Sequence, residues 1–285
     1  NYLGEQQEYM RGLLRVLASQ MDGDRENLQG GQRLLDWPTS QMPDVIHAGY
    51  QALMVMAMEA GAEIGGWLGD RQMQSECRGA LRRLRRHVPD HLRNKQAAAM
   101  LVLAGLADPG KVCRTVIARG GAEGFSTFYG YYMLEALAEG GLYDEALQII
   151  SDYWGAMLDL GATTFWEDLN YAHAAGAARI DEPVPAGKFD IHAESGAYCY
   201  KGLRHSLCHG WASGPTPWLS RHVLGIVPLE PGCKSVAVRP HLGHLKWAEG
   251  TFPTPWGVIR VRHERGADGK VSTSVSAPDG VRVVR

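Results

Sequence analysis

The sequence predicts a mainly α-helical protein that ends in a small antiparallel β domain. From Leu3 to about Leu160, apolar residues recur at three- and four-residue spacing, which is the period of an α-helix. After Leu224 they alternate with period two, and Gly, Pro and Asp separate the alternating segments. A run of helices followed by a run of strands indicates separate domains. We therefore predict a helical domain over residues 1–224 and a β-sandwich-like domain over residues 225–285.

The helical segments are joined by short connections, which is typical of helical hairpins stacked side by side. Asp44 can cap the longest segment and Gly69 can end it. Such hairpins can form a bundle, a solenoid or a closed toroid, and the absence of a fixed-period repeat disfavours the solenoid. The predicted helices are 44–68, 71–87, 91–106, 109–119, 127–140, 142–160 and, irregular near Gly214, 206–223.

The bulk composition excludes several classes of function. The formal net charge is −2, so we expect no nucleic-acid or acidic-membrane partner. The five cysteines have no paired spacing, so we expect free thiols, no zinc site and no cofactor. No stretch is apolar for long enough to cross a membrane. The chain opens at Asn1 inside an amphipathic helical pattern, so we expect it to be part of a longer polypeptide, which leaves its localisation and oligomeric state open.

The segment from Gly161 to Ser206 carries few helix or strand signals, yet it is rich in aromatic, acidic and histidine residues. A long irregular segment within a compact domain is usually functional or disordered, and the aromatic content argues against disorder. We therefore expect the functional residues in this segment and just after it.

The segment begins with Gly161-Ala-Thr-Thr-Phe-Trp-Glu-Asp, directly after a predicted helix. Gly161 can end the helix, and the turn would then project Trp166 and Glu167 into a cavity at the helix end. A carboxylate beside an indole suits sugar chemistry, because the carboxylate can deprotonate a water while the indole stacks on the sugar. The alternative is a structural loop in which the glutamate pairs with an arginine. The residue types alone leave both interpretations open.

A second cluster comprises His205, Cys208, His209 and Trp211. His205 and His209 are four residues apart, so one helix face could hold both. A metal site would need a third ligand, and the HExxH spacing is absent. The histidines can bind a sugar hydroxyl or lie in the core bonded to backbone carbonyls, an alternative that is strongest for His205.

Other polar and aromatic residues are weaker candidates for the same site. Asp36 can bind a hydroxyl or cap a turn, and Trp37 can be a sugar platform or a buried turn residue. Tyr129 or its neighbour Phe128 can reach the cavity. Acidic, histidine and tyrosine residues of the long segment can contact substrate, although bracing of the loop is favoured for most. These are Asp168, Asp190, His192, Glu194 and Tyr200.

The motif Gly-Ala-Thr-Thr-Phe-Trp-Glu resembles the general-base segment of the inverting α-L-rhamnosidases of glycoside hydrolase family 78. The likeness extends through the Arg204–Leu219 motif, with its histidine, to the phrases Val238-Arg-Pro-His-Leu and Pro255-Trp-Gly in the β domain. It implies that the helices are the latter part of an (α/α)6 barrel, that Glu167 is the general base and that His209 contacts substrate. The chain departs from the family pattern at Cys208, where Asn is usual, and in a longer segment between the two motifs.

The resemblance implies inverting hydrolysis of terminal α-L-rhamnosyl or related linkages in an oligosaccharide or glycoside. The general acid of the family has no match here, so we expect it upstream of Asn1 and expect this chain alone to lack that group. Two alternatives stay open: a non-catalytic carbohydrate-binding relative, and another barrel enzyme such as a polysaccharide lyase. The lyase ranks lower because the loop has few basic residues besides Lys188 and Lys201. The sequence also lacks a Gly-rich phosphate loop and a GxSxG elbow.

Overall fold

A computed structural model describes residues 2–29, 33–191 and 204–284. The chain divides into two compact units, Asn1–Arg119 and Gly120–Arg285. Helix accounts for 47% and strand for 15%, and the strands lie mainly in the C-terminal region, so the predicted mainly α class is confirmed. The domain boundary near Gly225 stays a prediction. In the described part of the chain, no helix combines the length and the apolar character that a membrane span requires.

The first unit is built on one long helix that packs against its two successors. Helix α3 (Pro43–Trp67) buries an almost continuous apolar surface, including Val55 and Met58, against α4 (Arg71–Leu84) and α5 (Lys95–Leu103). The elements in order are α1 Tyr2–Glu5, α2 Gln7–Ser19, β1 Met21–Asp22, β2 Arg25–Glu26, a 3₁₀ turn Trp37–Thr39, α3 Pro43–Trp67, α4 Arg71–Leu84, α5 Lys95–Leu103, α6 Pro109–Val112 and a π-helical turn Cys113–Ile117.

Two helix starts differ from the sequence prediction for identifiable reasons. Helix α3 begins at Pro43, whose missing N–H costs nothing in a first turn, so Asp44 lies inside the helix instead of capping it. Helix α5 begins at Lys95, because Leu92 and Arg93 adopt positive φ values of 50° and 57°. Asn94 then caps α5 by accepting a hydrogen bond from the N–H of Ala97 at 2.9 Å.

A buried carboxylate ties the β1–β2 hairpin to α3. The Glu26 side chain is 1% exposed and accepts hydrogen bonds from Arg33 Nη2 at 2.5 Å and from the N–H of Leu28 at 3.0 Å. His47 Nδ1 lies 2.6 Å from the same carboxylate. Burial raises the pKa of Glu26, but the hydrogen bonds from His47 and Arg33 outweigh burial and hold the pKa below its ordinary value.

We therefore expect a Glu26→Gln variant to lose stability at neutral pH, by about 2 kcal/mol. A carboxyl whose pKa is lowered by folding stabilises the native state above its unfolded pKa of about 4.3, and this contribution is lost as the pH falls through the folded value. The difference in the free energy of unfolding between variant and wild type, measured by urea unfolding, should therefore be smaller at pH 3 than at pH 7. Glu63→Gln, on the exposed side of α3, is the control. If the Glu26→Gln variant lost the same free energy of unfolding at both pH values, the stabilising role of the ionised Glu26 carboxylate would be contradicted.

The second unit begins with a helical hairpin, as predicted. Helices α7 Thr127–Glu139 and α8 Tyr143–Asp159 are joined by a turn at Gly140 and Gly141. Irregular structure follows, with a 3₁₀ turn Tyr171–Gly176 and a short parallel pair of strands, β3 Ala177–Ala178 and β4 Phe189–Asp190. A 3₁₀ turn Gly210–Ser213, helix α9 Pro215–Trp218 and a π-helical turn Leu219–Val223 lead to the β region.

Two three-stranded sheets form the β region and pack on a shared core. The six strands are β5 Ile226–Pro228, β6 Ser235–Val238, β7 Trp247–Thr254, β8 Gly257–Arg265, β9 Val271–Ser276 and β10 Arg282–Val284. The first sheet has the order β10-β6-β5 and the second β7-β8-β9. Val236 and Val238 of the first sheet share that core with Ile259 and Val261 of the second. The last strand pairs parallel with β6, so the region is not wholly antiparallel.

Candidate functional site

Gly161 ends α8 and starts the loop that carries Glu167. It has a φ of 92°, and its N–H donates to Leu158 O at 3.0 Å, while Ala162 N donates to Met157 O at 2.9 Å. These bonds satisfy the last carbonyls of the helix, a common termination that favours glycine. The chain then continues in an irregular path, without helix or strand, towards Glu167.

Two loop segments run antiparallel and bring the predicted site residues together. The N–H of Glu167 donates to Ser206 O at 2.9 Å, and the N–H of His209 donates to Phe165 O at 2.8 Å. The prediction that one helix face holds both His205 and His209 is therefore wrong. Helical turns begin only at Gly210, and His209 is extended (φ −129°, ψ 114°), because the backbone here bonds to the Glu167 segment instead of to itself.

The Glu167 carboxylate is fixed at one oxygen. Oε2 accepts a hydrogen bond from the N–H of Ser206 at 2.9 Å and lies 3.9 Å from Nδ1 of His209. The side chain is 17% exposed, and Oε1 accepts no hydrogen bond from the described residues. Within the same residues the side chain that lies within 4 Å of this carboxylate as a possible partner is the His209 imidazole, not the arginine of the structural alternative. One oxygen is thus held in place while the other is available to a ligand or water.

The main chain at Glu167 is also tied down from two sides. Its carbonyl accepts hydrogen bonds from Trp211 Nε1 at 2.6 Å and from the hydroxyl of Thr127 at the start of α7. The next residue, Asp168, donates its N–H to His205 Nε2 at 2.9 Å. No local sequence signal indicates this contact of Thr127, because its partner Glu167 lies 40 residues later in the chain.

An aromatic surface lies beside the carboxylate. The rings of Phe128 and Trp211 stack with centroids 5.2 Å apart and an interplanar angle of 17°. His209 packs on the same indole, with ring centroids 4.3 Å apart. Phe128 is 36% exposed, so the stack reaches the surface. This arrangement can offer one apolar surface and two polar groups to a ligand.

Comparisons with known proteins identify one similar domain family and several similar structures. Residues 225–284 match the bacterial alpha-L-rhamnosidase C-terminal domain family. Among solved structures, the α-L-rhamnosidase of Streptomyces avermitilis complexed with L-rhamnose aligns over 99% of this chain and 27% of its own, with 20% identity and a TM-score of 0.75. The GH78 family rhamnosidase of Bacillus sp. GL1 aligns over 99% and 30%, with 22% identity and a TM-score of 0.76. No curated protein matches the chain.

The chain has the fold of the C-terminal part of an α-L-rhamnosidase. The resemblance to glycoside hydrolase family 78 is confirmed at this level. The predicted order, a mainly helical chain that ends in small β-sheets, is confirmed as well, whereas the (α/α)6 barrel stays a prediction. The chain spans about 30% of the length of these rhamnosidase structures.

Within this rhamnosidase fold, Trp166 does not present its indole to the surface. It is 1% exposed and meets His205 edge-on, with ring centroids 6.2 Å apart. The predicted projection of Trp166 into a cavity is therefore wrong. His205 and Tyr129 are also buried.

The remaining candidates fall into three groups. Asp36 and Trp37 belong to the first unit, where Asp36 is buried and caps the 3₁₀ turn by accepting a hydrogen bond from the N–H of Trp37 at 2.9 Å. Asp190 lies in β4 and is partly buried. His192, Glu194 and Tyr200 lie outside the described residues. Across the described ranges, no three His, Cys, Asp or Glu side chains group as metal ligands would.

Proposed function

We propose that the chain forms part of an inverting glycoside hydrolase that cleaves terminal α-L-rhamnosyl or related linkages, with Glu167 as the general base. The observation that carries the proposal is the Glu167 carboxylate, fixed at Oε2 and open at Oε1, 3.9 Å from a histidine that packs on the Phe128–Trp211 stack. The fold likeness to α-L-rhamnosidases and the C-terminal domain match support the same assignment.

Each group has a definite task in this reaction. Oε1 of Glu167 accepts a proton from a water molecule as that water attacks the anomeric carbon. His209, 3.9 Å from the carboxylate, donates a hydrogen bond to a sugar hydroxyl. The Phe128–Trp211 stack packs against the apolar C–H face of the sugar. Inversion also needs a general acid roughly 6.5–9.5 Å from the base, and we propose that another part of the complete polypeptide supplies it.

The experiment follows the anomeric configuration of the product. The complete polypeptide encoded by the gene is incubated with an aryl α-L-rhamnoside, and proton NMR records the sugar within the first minutes. We expect β-L-rhamnose to appear first and then mutarotate, because a water activated by Glu167 attacks opposite the leaving group. Initial release of α-L-rhamnose would contradict the inverting mechanism. Saccharide binding without turnover would instead support the non-catalytic alternative.

A further inference from the structure

Trp211 has contacts that exceed those of a simple sugar platform. Its indole N–H donates to the Glu167 carbonyl. Its ring packs on His209 and also stacks on the ring of Phe128. We propose that Trp211 is a positioning residue, which holds the proposed base and the proposed sugar-binding histidine in one fixed arrangement. This inference rests on the proposed function of Glu167.

The need for such a residue follows from the local backbone. Glu167 lies in a loop with no helical hydrogen-bond ladder, so its orientation depends on a few separate ties. The donor from Trp211, at 2.6 Å, and that from Thr127 converge on one carbonyl oxygen. Ser206 fixes the other end of the same residue, at Oε2. Loss of one donor therefore loosens the backbone from which the carboxylate projects.

Trp211 is itself held by the helical hairpin. It belongs to the 3₁₀ turn Gly210–Ser213, in which Ala212 is fully buried. The carbonyl of Ala212 accepts a hydrogen bond from Nε1 of Trp154, a buried residue of α8, at 2.8 Å. The indole that positions Glu167 is thus anchored to a rigid helix, so its N–H can transmit a fixed geometry to the loop.

The two functions of the indole can be separated by substitution. Trp211→Phe keeps an aromatic ring for the stack on Phe128 and the contact with His209, but removes the donor to Glu167. We expect kcat of the complete polypeptide on an aryl rhamnoside to fall about tenfold, the effect of one lost hydrogen bond. KM should change by less than about twofold, because the sugar-facing surface is retained.

The matched control is Trp256→Phe. This residue of the β region also donates its indole N–H to a backbone carbonyl, that of Gly232, at 2.9 Å. The control loses the same type of bond but contacts neither Glu167 nor His209, so its kcat should equal that of wild type. An equal loss of kcat in both variants, or none in Trp211→Phe, would overturn the positioning role.

A second readout separates this inference from the proposed function. The Cδ resonance of ¹³C-labelled Glu167, assigned by its absence in Glu167→Gln, is titrated in each variant. A changed midpoint in Trp211→Phe but not in Trp256→Phe supports positioning, and an unchanged midpoint overturns it. If the complete polypeptide hydrolyses no rhamnoside, the proposed function fails, and this titration alone decides whether Trp211 controls the Glu167 carboxylate.

Discussion

The variant Glu167→Gln should lose at least about a hundredfold in kcat on an aryl α-L-rhamnoside, with little change in folding. General-base catalysis contributes about 10²–10⁴-fold, and an amide cannot accept the proton of the attacking water. Glutamine has nearly the same shape, and its amide oxygen can still accept the hydrogen bond from the N–H of Ser206. The measurement is steady-state hydrolysis by the complete polypeptide, with thermal unfolding as the check on folding.

A matched control lies in the same unit. Glu145→Gln removes an exposed carboxylate from the first turn of α8 and should leave kcat unchanged. A general base acts in the chemical step, so the affinity of the Glu167→Gln variant for L-rhamnose should stay within about threefold of wild type. Residual activity above about a tenth of wild type, with normal folding, would contradict the assignment of Glu167 as the base.

Local signals in the sequence were sufficient for the helical hairpin and for the start of the site. The Gly140-Gly141 turn between two periodic segments predicts α7 and α8 to within a residue at their adjoining ends. Gly161 ends α8 because its φ of 92° suits glycine, and that requirement is visible as a glycine directly after the last periodic residue. Features fixed by neighbouring residues are thus readable from the chain itself.

Backbone conformations and side-chain contacts that depend on residues distant in the sequence could not be predicted from it. The segment around His205 has helical spacing, yet it is not helical before Gly210, because Ser206 and His209 bond to the backbone of Glu167 and Phe165, about forty residues earlier. Trp166 is buried and meets the ring of His205, which is distant from it in the sequence. The contact of Trp211 with the Glu167 carbonyl likewise depends on this pairing. Sequence patterns can therefore indicate that a glutamate and a histidine lie near each other without giving the orientation of either.

The β region offers the second large expected effect, at Gly225. This residue has a φ of 69°, and a Cβ placed on it would lie 2.2 Å from both C and O of Arg239 and 2.6 Å from N of Pro240. These are backbone atoms, which cannot move aside as a flexible side chain can. The N–H of Arg239 donates to Gly225 O at 2.9 Å, so the two strands β5 and β6 meet at this point. Any side chain here must separate them.

We therefore expect Gly225→Ala to reduce the free energy of unfolding by about 4 kcal/mol, combining the cost of positive φ with that of overpacking. Gly269→Ala is the matched control, because its φ is 80° and no atom lies within 4 Å of the added Cβ. It should cost only the backbone part, about 1 kcal/mol. Urea unfolding of residues 1–285, followed by circular dichroism, measures both. Equal losses would show that the close approach of β5 to Arg239 contributes nothing, whereas a threefold or larger difference would establish it as the constraint that demands glycine.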